Sequence, residues 1–204
     1  MSEQSVSAAL VSIIGAPAAG KTTLARFLAE ALPARLIMED YAGNPFLAES
    51  YQGNAAANLP GQLFFLMSRV GQLFVSDWPG EGVCVSDYGF CQDRVFARQR
   101  LNAADFGLYE RVARRVGGLV HEPDIVIHLN ASVAMLTERI ARRGRAFESA
   151  MDAKFLQAMT AAYRQTVAAL ACPIIEIDCD KTDMLSQSAR ADLMTRIRRL
   201  LAKQ

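Results

Sequence analysis

An eight-residue stretch after the first apolar run constrains the fold of this chain more than any other feature. The stretch, GAPAAGKT at 15–22, lies between Leu10–Gly15 and a helical pattern and has the form G-x-x-x-x-G-K-[ST]. A strand, a glycine-rich turn and a helix in this order form a loop whose backbone N–H groups surround phosphate. Lys21 is predicted to reach the outer phosphates, and the Thr22 hydroxyl to coordinate Mg²⁺. The residues expected to bind the phosphates of a nucleoside triphosphate are Gly15, Ala16, Ala18, Ala19, Gly20, Lys21, Thr22 and Thr23.

Short runs rich in Val, Ile and Leu predict five buried strands. Because these runs are apolar on both faces, they favour a parallel sheet covered by helices. Helical patterns lie between them, which is typical of βαβ units. We therefore predict an α/β fold, a doubly wound five-stranded parallel sheet flanked by helices, in a single domain over 1–204 with a flexible segment at 1–9. The predicted strands are Leu10–Gly15, Arg35–Glu39, Gly82–Asp87, Asp124–Asn130 and Ile174–Asp178, and the predicted helices are Thr22–Ala31, Gln62–Val75, Leu108–Val116, Val133–Arg143, Phe155–Leu170 and Ser186–Leu201.

Composition excludes several classes of protein. Basic residues number 22 and acidic residues 21, a net charge of +1, whereas a non-specific nucleic-acid binder usually carries a large basic excess. No apolar run reaches the roughly 20 residues that a membrane-spanning helix needs, and the first nine residues lack the Lys or Arg of a signal peptide. The four cysteines form no CxxC pair. We therefore expect a cytoplasmic protein that binds neither nucleic acid nor membrane.

Carboxylates end the second and third predicted strands. Glu39 ends the second strand and Asp87 the third, and ligands of such sheets bind at the carboxyl ends of the strands. We assign Glu39 to orienting an acceptor hydroxyl and taking its proton, and Asp87 to anchoring Mg²⁺ together with Thr22. A carboxylate at a strand end can equally cap a helix or solvate a loop, and the pattern alone leaves that alternative open.

Four arginines within seven residues end the predicted helix Val133–Arg143. Arg139 and Arg143 share one helix face, where like charges repel unless an anion lies between them. Gly144 ends the helix and frees Arg145. The pattern indicates an arginine-rich lid that supplies cations to a transferring phosphoryl group. The alternative is a solvated basic helix end favoured by the helix dipole.

With these residues placed, the chain resembles the deoxynucleoside kinase family from about Val11 to Asp180. An ordered set of stretches carries the resemblance: GAPAAGKTT at 15–23 with Glu39, NPFL…Y at 44–51, QLFFLMSR at 62–69, SDYGFCQDR at 86–94, and PDIVIHLNAS followed by RIARRGRAFE at 139–148. It implies a P-loop kinase fold, ATP and Mg²⁺ as cofactors, a deoxynucleoside as substrate and a homodimer. The homodimer would also account for the stretch 63–73, which is hydrophobic nearly all round and must be buried in the core or against a partner.

The resemblance also implies a role for each matching residue. Glu39 matches the general base for the 5′-hydroxyl. A Gln side chain offers a donor and an acceptor to a base edge, and an Arg–Asp pair presents one of each. Without the resemblance, Gln62 and Arg69 would be interpreted as surface residues of a helix. The other implied roles are nucleobase recognition by Gln62, Arg69 and Asp93, sugar 3′-hydroxyl contact by Tyr51 and Glu148, substrate contact by Asp87, phosphate contact by Arg139, Arg143 and Arg145, and donor-base contact by Ile177–Lys181.

One position departs from the family pattern. In well-known members an Arg follows the strand-end acid and contacts the transferring phosphoryl group, whereas this chain has Tyr88. Arg94 or a lid residue such as Arg142 is the expected replacement for that cation.

The residues leave two alternative functions open. A nucleoside monophosphate kinase would need an additional anion site facing the donor, whereas the predicted acceptor pocket is neutral to acidic. A nucleotide-dependent switch protein would hydrolyse ATP slowly, and the arginine cluster with Glu39 argues against it. The small residues Gly89 and Ala146, if they line the site, would leave room for a purine and so favour deoxyadenosine or deoxyguanosine.

Overall fold

The computed structural model describes residues 7–145, 148 and 151–203. A sheet of five parallel strands forms its centre, and this confirms the predicted α/β fold. The strands are β1 Ala9–Gly15, β2 Arg35–Ile37, β3 Val83–Ser86, β4 Ile125–Asn130 and β5 Ile174–Asp178, in the spatial order β2-β3-β1-β4-β5.

Helices cover both faces of this sheet. None of those formed by the described residues is long and apolar enough to cross a membrane. The α-helices are α1 Lys21–Ala31, α2 Leu47–Tyr51, α3 Asn58–Gln72, α4 Gln92–Arg100, α5 Ala103–Gly117, α6 Val133–Arg143, α7 Ala153–Ala168 and α8 Gln187–Leu201, and short 3-10 helices span Ala55–Ala57 and Val75–Asp77.

The core lies along the central strands. β1 is buried from Leu10 onward and β4 as far as Leu129, because helices pack on both faces of the strands. Leu28 of α1 and Tyr163 of α7 are fully buried in the same apolar cluster. Burial on both faces fixes the positions at which these strands end, and with them the loops that follow.

The structure corrects several of the sequence-based bounds. Helix α3 spans Asn58–Gln72 rather than Gln62–Val75, and α5 begins at Ala103 rather than at Leu108. The flexible segment was expected to include Ala8 and Ala9, but Ala8 is buried and its backbone bonds to Pro79, and Ala9 begins β1; residues 1–6 lie outside the described residues. Helices α2 and α4 were not predicted, because α2 is only five residues long and α4 carries mostly polar side chains. β2 ends at Ile37, so that Glu39 lies in the loop that follows it.

The strand order brings three loops together. Ser86 of β3 pairs in register with Ser12 of β1 on one side and with Ile37 of β2 on the other. Because all the strands are parallel, the loops after β1, β3 and β2 leave the same edge of the sheet. The glycine-rich loop, Asp87 and Glu39 therefore share this edge.

Candidate active site

The glycine-rich loop connects β1 to α1 and is shaped by its two glycines. Gly15 has a φ of 150°, and a Cβ at this position would lie 2.5 Å from the carbonyl oxygen of Leu129. Gly20, with a φ of 107°, is the N-cap residue that directly precedes α1. Both backbone conformations are ones that L side chains rarely adopt, so the loop can pass close to β4 and turn its N–H groups inward only with glycine here.

Lys21 lies inside this loop and is buried. Its Nζ donates hydrogen bonds to the carbonyl oxygens of Gly15, at 2.8 Å, and Ala16, at 3.1 Å. The pKa of Lys21 is lowered to about 8, mainly by burial; the charge of Asp87 opposes this shift, and the charges of Arg143 and Arg69 contribute to it. Lys21 is thus held against the loop as a desolvated cation, which suits the binding of an anionic ligand.

Asp87 links the glycine-rich loop to the loop after β2. Its Oδ2 accepts a hydrogen bond of 2.5 Å from the Thr22 hydroxyl, and its Oδ1 accepts one of 2.8 Å from the backbone N–H of Glu39. Burial raises the pKa of Asp87, and its hydrogen bond with Thr22 and the charge of Lys21 work in the opposite direction. The predicted pair of Thr22 and Asp87 is therefore in direct contact.

The Thr22 and Asp87 oxygens fit a magnesium ion. Mg²⁺ prefers hard oxygen ligands and is usually held by one or two protein groups together with water and phosphate oxygens. Among the described residues no group of three or more His, Cys, Asp or Glu side chains could hold a metal. Two protein oxygens beside a phosphate loop match this preference of Mg²⁺.

Glu39 is the centre of a buried polar network. Its side chain is only 5% exposed, and its Oε1 contacts Nη2 of Arg69 in an ion pair. The same oxygen accepts a hydrogen bond of 3.0 Å from the Gln92 amide, a residue that the sequence analysis missed. Nη1 of Arg69 contacts Asp93, so one guanidinium is shared by two carboxylates.

A small cavity of about 30 Å³ adjoins this network and is lined by Gln62 and Arg69, among others. Asp93 does not line it but lies against Arg69. Three buried polar atoms here have no hydrogen-bond partner among the described residues, namely Gln62 Oε1, Arg69 Nε and Asp93 Oδ2. Buried polar atoms of this kind are rare in folded proteins, and a ligand with a mixed donor and acceptor edge would satisfy them.

A larger cavity of about 460 Å³ holds the glycine-rich loop, the lid arginines and residues after β5. Tyr41, Tyr51 and Phe96 line both cavities. The smaller cavity has room for about one water molecule, so it must open further if a nucleobase is to reach Gln62.

The two residues expected at the sugar hydroxyl both line the larger cavity. Glu148 is buried and receives two hydrogen bonds from Arg143, one of them from Nε at 2.8 Å. Arg145 Nη1 lies 3.7 Å from the same carboxylate. Tyr51 lies under the guanidinium of Arg100 at 3.9 Å, and burial raises its pKa, which the Arg100 charge partly offsets. Sequence reasoning did not anticipate that Glu148 would be paired with two lid arginines.

The arginines predicted to form a lid begin on α6. Arg139 donates a hydrogen bond of 2.9 Å to the carbonyl of Ala19 in the glycine-rich loop. α6 ends at Arg143, and Gly144 follows with a φ of 64°. The lining residues of the larger cavity include Arg139, Arg142, Arg143 and Arg145. All three predicted lid residues therefore line the cavity that contains the phosphate loop, and Arg139 contacts that loop directly.

The predicted stretch Ile177–Lys181 reaches the larger cavity only in part. Ile177 is buried in β5, whereas Cys179 lines the cavity. Residues 182–185 and Arg190, which follow the predicted stretch, line it as well. Arg190, which was not predicted, stacks on Phe27 of α1 and donates a 2.9 Å hydrogen bond to the Met184 carbonyl.

Comparison with known proteins decides the family of the chain. The model of the deoxynucleoside kinase family matches residues 11–202. The chain belongs to the deoxynucleoside kinase family. The deoxyguanosine kinase of Bacillus subtilis is 28% identical over 187 residues, which are 87% of this chain and 90% of that protein. The deoxyadenosine kinase of Dictyostelium discoideum is 28% identical over 192 residues, 89% of this chain and 78% of that protein.

Solved structures share the fold. A structure of deoxyadenosine kinase from M. mycoides with bound dATP has a TM-score of 0.80 at 19% identity and covers 93% of this chain and 99% of that one.

Membership of the deoxynucleoside kinase family makes the chain an enzyme that phosphorylates deoxynucleosides. It favours this activity over the two alternatives, a nucleoside monophosphate kinase and a switch protein.

The two candidate replacements for the family arginine at the position of Tyr88 lie in different environments. Arg94, one proposed replacement for the family arginine, is 63% exposed and pairs with Glu110 of α5. It lines neither cavity, so that expectation is wrong for Arg94. Arg142 does line the larger cavity.

Gly89 does not leave the room for a purine that its small size suggests. A Cβ there would lie 2.7 Å from Ile14 Cγ2 and 3.2 Å from Cys91 Sγ, so Gly89 packs against the core. It lines neither cavity, and the expectation is wrong at this position. Ala146 lies outside the described residues.

Proposed function

We propose that this deoxynucleoside kinase transfers the γ-phosphate of ATP to the 5′-hydroxyl of a purine deoxyribonucleoside, a reaction of nucleotide salvage. The observation that carries the proposal is the hydrogen-bonded connection from Thr22 through Asp87 to Glu39. It joins a phosphate loop to the buried carboxylate of Glu39, which lines the smaller cavity. Donor and acceptor can therefore meet at one point, as in-line transfer requires.

Glu39 acts as the general base. Its Oε1 is held by Arg69 and Gln92, so Oε2 is the oxygen that takes the proton of the 5′-hydroxyl. Two contacts on one carboxylate oxygen fix the orientation of the other, which is what general base catalysis needs.

Arg69, Asp93 and Gln62 recognise the nucleobase, and Tyr51 and Glu148 contact the sugar hydroxyl. Support comes from the unpartnered atoms beside the smaller cavity and from the location of both sugar residues in the larger one. The purine preference rests on the relatives named above, a deoxyguanosine kinase and a deoxyadenosine kinase.

Phosphate is bound by the glycine-rich loop with Lys21, and the lid arginines stabilise the charge of the group in transfer. Thr22 and Asp87 hold Mg²⁺, which supplies charge neutralisation when bound. Arg143 must exchange some of its contact with Glu148 for phosphate, because both of its hydrogen bonds go to that carboxylate in this structure.

We also propose a cytoplasmic homodimer. The four cysteines are free thiols, as expected in a reducing compartment. Met67 of α3 is 50% exposed although it lies in the apolar stretch 63–73, and pairing with a second copy would cover it.

The activity is tested by measuring ATP consumption by the purified protein with Mg²⁺ and each deoxynucleoside in turn. Controls contain deoxynucleoside monophosphates or water alone, and chromatography identifies the product. We expect a 5′-monophosphate from the purine deoxynucleosides and little turnover with water. Turnover with monophosphates only would replace the proposal by a nucleotide kinase, and pyrimidine preference would overturn the purine assignment alone.

Acidification should weaken binding of the acceptor. Burial raises the pKa of Asp93 to about 6, while Arg69 works against this rise. Below that pH Asp93 is protonated and loses the charge that holds Arg69, so we expect the acceptor KM to rise as pH falls through about 6, with a smaller change in the KM for ATP. Asp93→Asn is the control, because its acceptor KM should be high at every pH. An acceptor KM that stays constant well below the pKa of Asp93 would contradict this role.

A further inference from the structure

Tyr88 lies directly after Asp87 and is fully buried. Its ring centroid is 5.2 Å from the guanidinium carbon of Arg69, and the ring of Phe65 is 5.3 Å from the same atom. Aromatic faces attract a guanidinium, and the attraction is stronger where water is excluded. The cation that contacts both Glu39 and Asp93 is therefore packed against the Tyr88 ring.

The hydroxyl of Tyr88 makes a second connection. It donates a hydrogen bond of 2.5 Å to Oε1 of Gln72, the last residue of α3. The Gln72 amide in turn donates one of 3.1 Å to the carbonyl of Met38. Met38 immediately precedes Glu39, so this link ties the backbone beside the carboxylate to the residue that follows Asp87.

We propose that Tyr88 is a positioning residue for the acceptor half of the reaction. Its ring holds Arg69, and its hydroxyl holds, through Gln72, the Met38 carbonyl that precedes Glu39. This inference rests on the proposed function, because it takes Glu39 as the base and Arg69 as a nucleobase contact. It assigns to Tyr88 a task different from that of the arginine found at this position in well-known members of the family.

The chemistry of Tyr88 fits a positioning role, whereas a tyrosine cannot supply the positive charge of an arginine. Burial raises the pKa of Tyr88 well above its ordinary value, so the hydroxyl stays protonated and acts as a donor. Tyr88 lines neither cavity, and its effect must pass through Arg69 and Gln72. A ring effect and a hydroxyl effect can therefore be separated by substitution.

A positioning role for Tyr88 must be distinguished from a role in the stability of the core alone. Tyr88 packs in an apolar cluster with Val70 and Val120, and its truncation will lower stability in any case. Val120→Ala is the matched control, since it removes buried volume from the same cluster without a contact to Arg69 or Gln72 among the contacts described.

The test measures kcat and both KM values for Tyr88→Phe, Tyr88→Leu and Val120→Ala. Tyr88→Phe removes the hydroxyl alone, and we expect kcat to fall about five- to tenfold, as loss of one hydrogen bond implies, with the acceptor KM nearly unchanged. Tyr88→Leu also removes the ring, and we expect the acceptor KM to rise about tenfold as well, as loss of a buried cation–π contact implies. The KM for ATP should change little in either variant, and Val120→Ala should alter thermal stability only.

A second variant tests the connection through the amide. Gln72→Met should reproduce the kcat of Tyr88→Phe, and the double variant should be no slower than either single one, because both break the same link. Additive losses would overturn the link. If the tyrosine variants lower stability as Val120→Ala does, without a change in kcat or acceptor KM, then Tyr88 is only a core residue and the inference is wrong.

Tyr88→Phe preserves the shape of the side chain, so it decides the question even if Tyr88→Leu does not fold. Failure of the unaltered enzyme to phosphorylate any deoxynucleoside would instead overturn the proposed function, and the inference with it. One set of assays therefore distinguishes failure of the inference about Tyr88 from failure of the proposed function.

Discussion

Replacing Glu39 by Gln should lower kcat by about 10²–10⁴, the usual contribution of a positioned general base, while ATP binding stays nearly intact. The glutamine side chain would keep the shape of the glutamate but could not take a proton from the 5′-hydroxyl. Folding should survive, because Arg69 keeps its contact with Asp93. Initial rates at saturating substrate, together with calorimetric titration of ATP, measure the two effects separately.

Glu30→Gln is the matched control for this substitution. Glu30 is an exposed residue of α1, and the same loss of charge there should leave kcat unchanged. If Glu39→Gln weakened ATP binding as much as it lowered kcat, Glu39 would be part of the donor site and its assignment as the base would be wrong.

Replacing Arg69 by Met should destabilise the enzyme by about 3–5 kcal/mol, the usual result of breaking a buried ion pair. The side chain is only 4% exposed and faces the carboxylates of Glu39 and Asp93, which would remain buried without their cation. Against a typical total stability of about 5–15 kcal/mol, this loss is large. Denaturant unfolding measures it, and the acceptor KM should rise together with it.

A double variant separates stability from recognition. Arg69→Met with Asp93→Leu removes one of the two uncompensated carboxylates, and we expect it to regain much of the stability but none of the acceptor affinity. Arg94→Met is the control, since its exposed ion pair with Glu110 should be worth no more than about 1 kcal/mol. Recovery of acceptor affinity in the double variant would show that Arg69 does not recognise the nucleobase.

The features that could be predicted from the sequence are those that residues close together in the sequence determine. The sequence from 15 to 22 determines the phosphate loop by itself, and the apolar runs determine the strands that end beside it. Since parallel strands share an edge, the sequence alone was enough to place Glu39 and Asp87 near that loop. Gly144 ends α6 where its φ of 64° is needed, and this too is a local effect.

The rest depends on contacts between distant segments. Gln92 begins α4, a mostly polar helix, and nothing near it in the sequence indicates that its amide reaches Glu39. The pairing of Arg143 with Glu148 is an interaction between two groups that were assigned separate tasks. The sequence indicates only that a charge is lost at Tyr88, because Tyr88 lies in the loop after β3 and the partners of its side chain, Arg69 and Gln72, lie in α3.

The alignment of Ser12, Ser86 and Ile37 in one row across the sheet makes strand length a determinant of catalysis. From that row the chain runs three residues to Gly15, one to Asp87 and two to Glu39. An extra residue in β3 would advance Asp87 by about 3.3 Å and turn its side chain to the opposite face. The sheet therefore sets the spacing of the proposed donor, metal and base sites, and an insertion or deletion in these short strands should lower activity even where every functional side chain is retained.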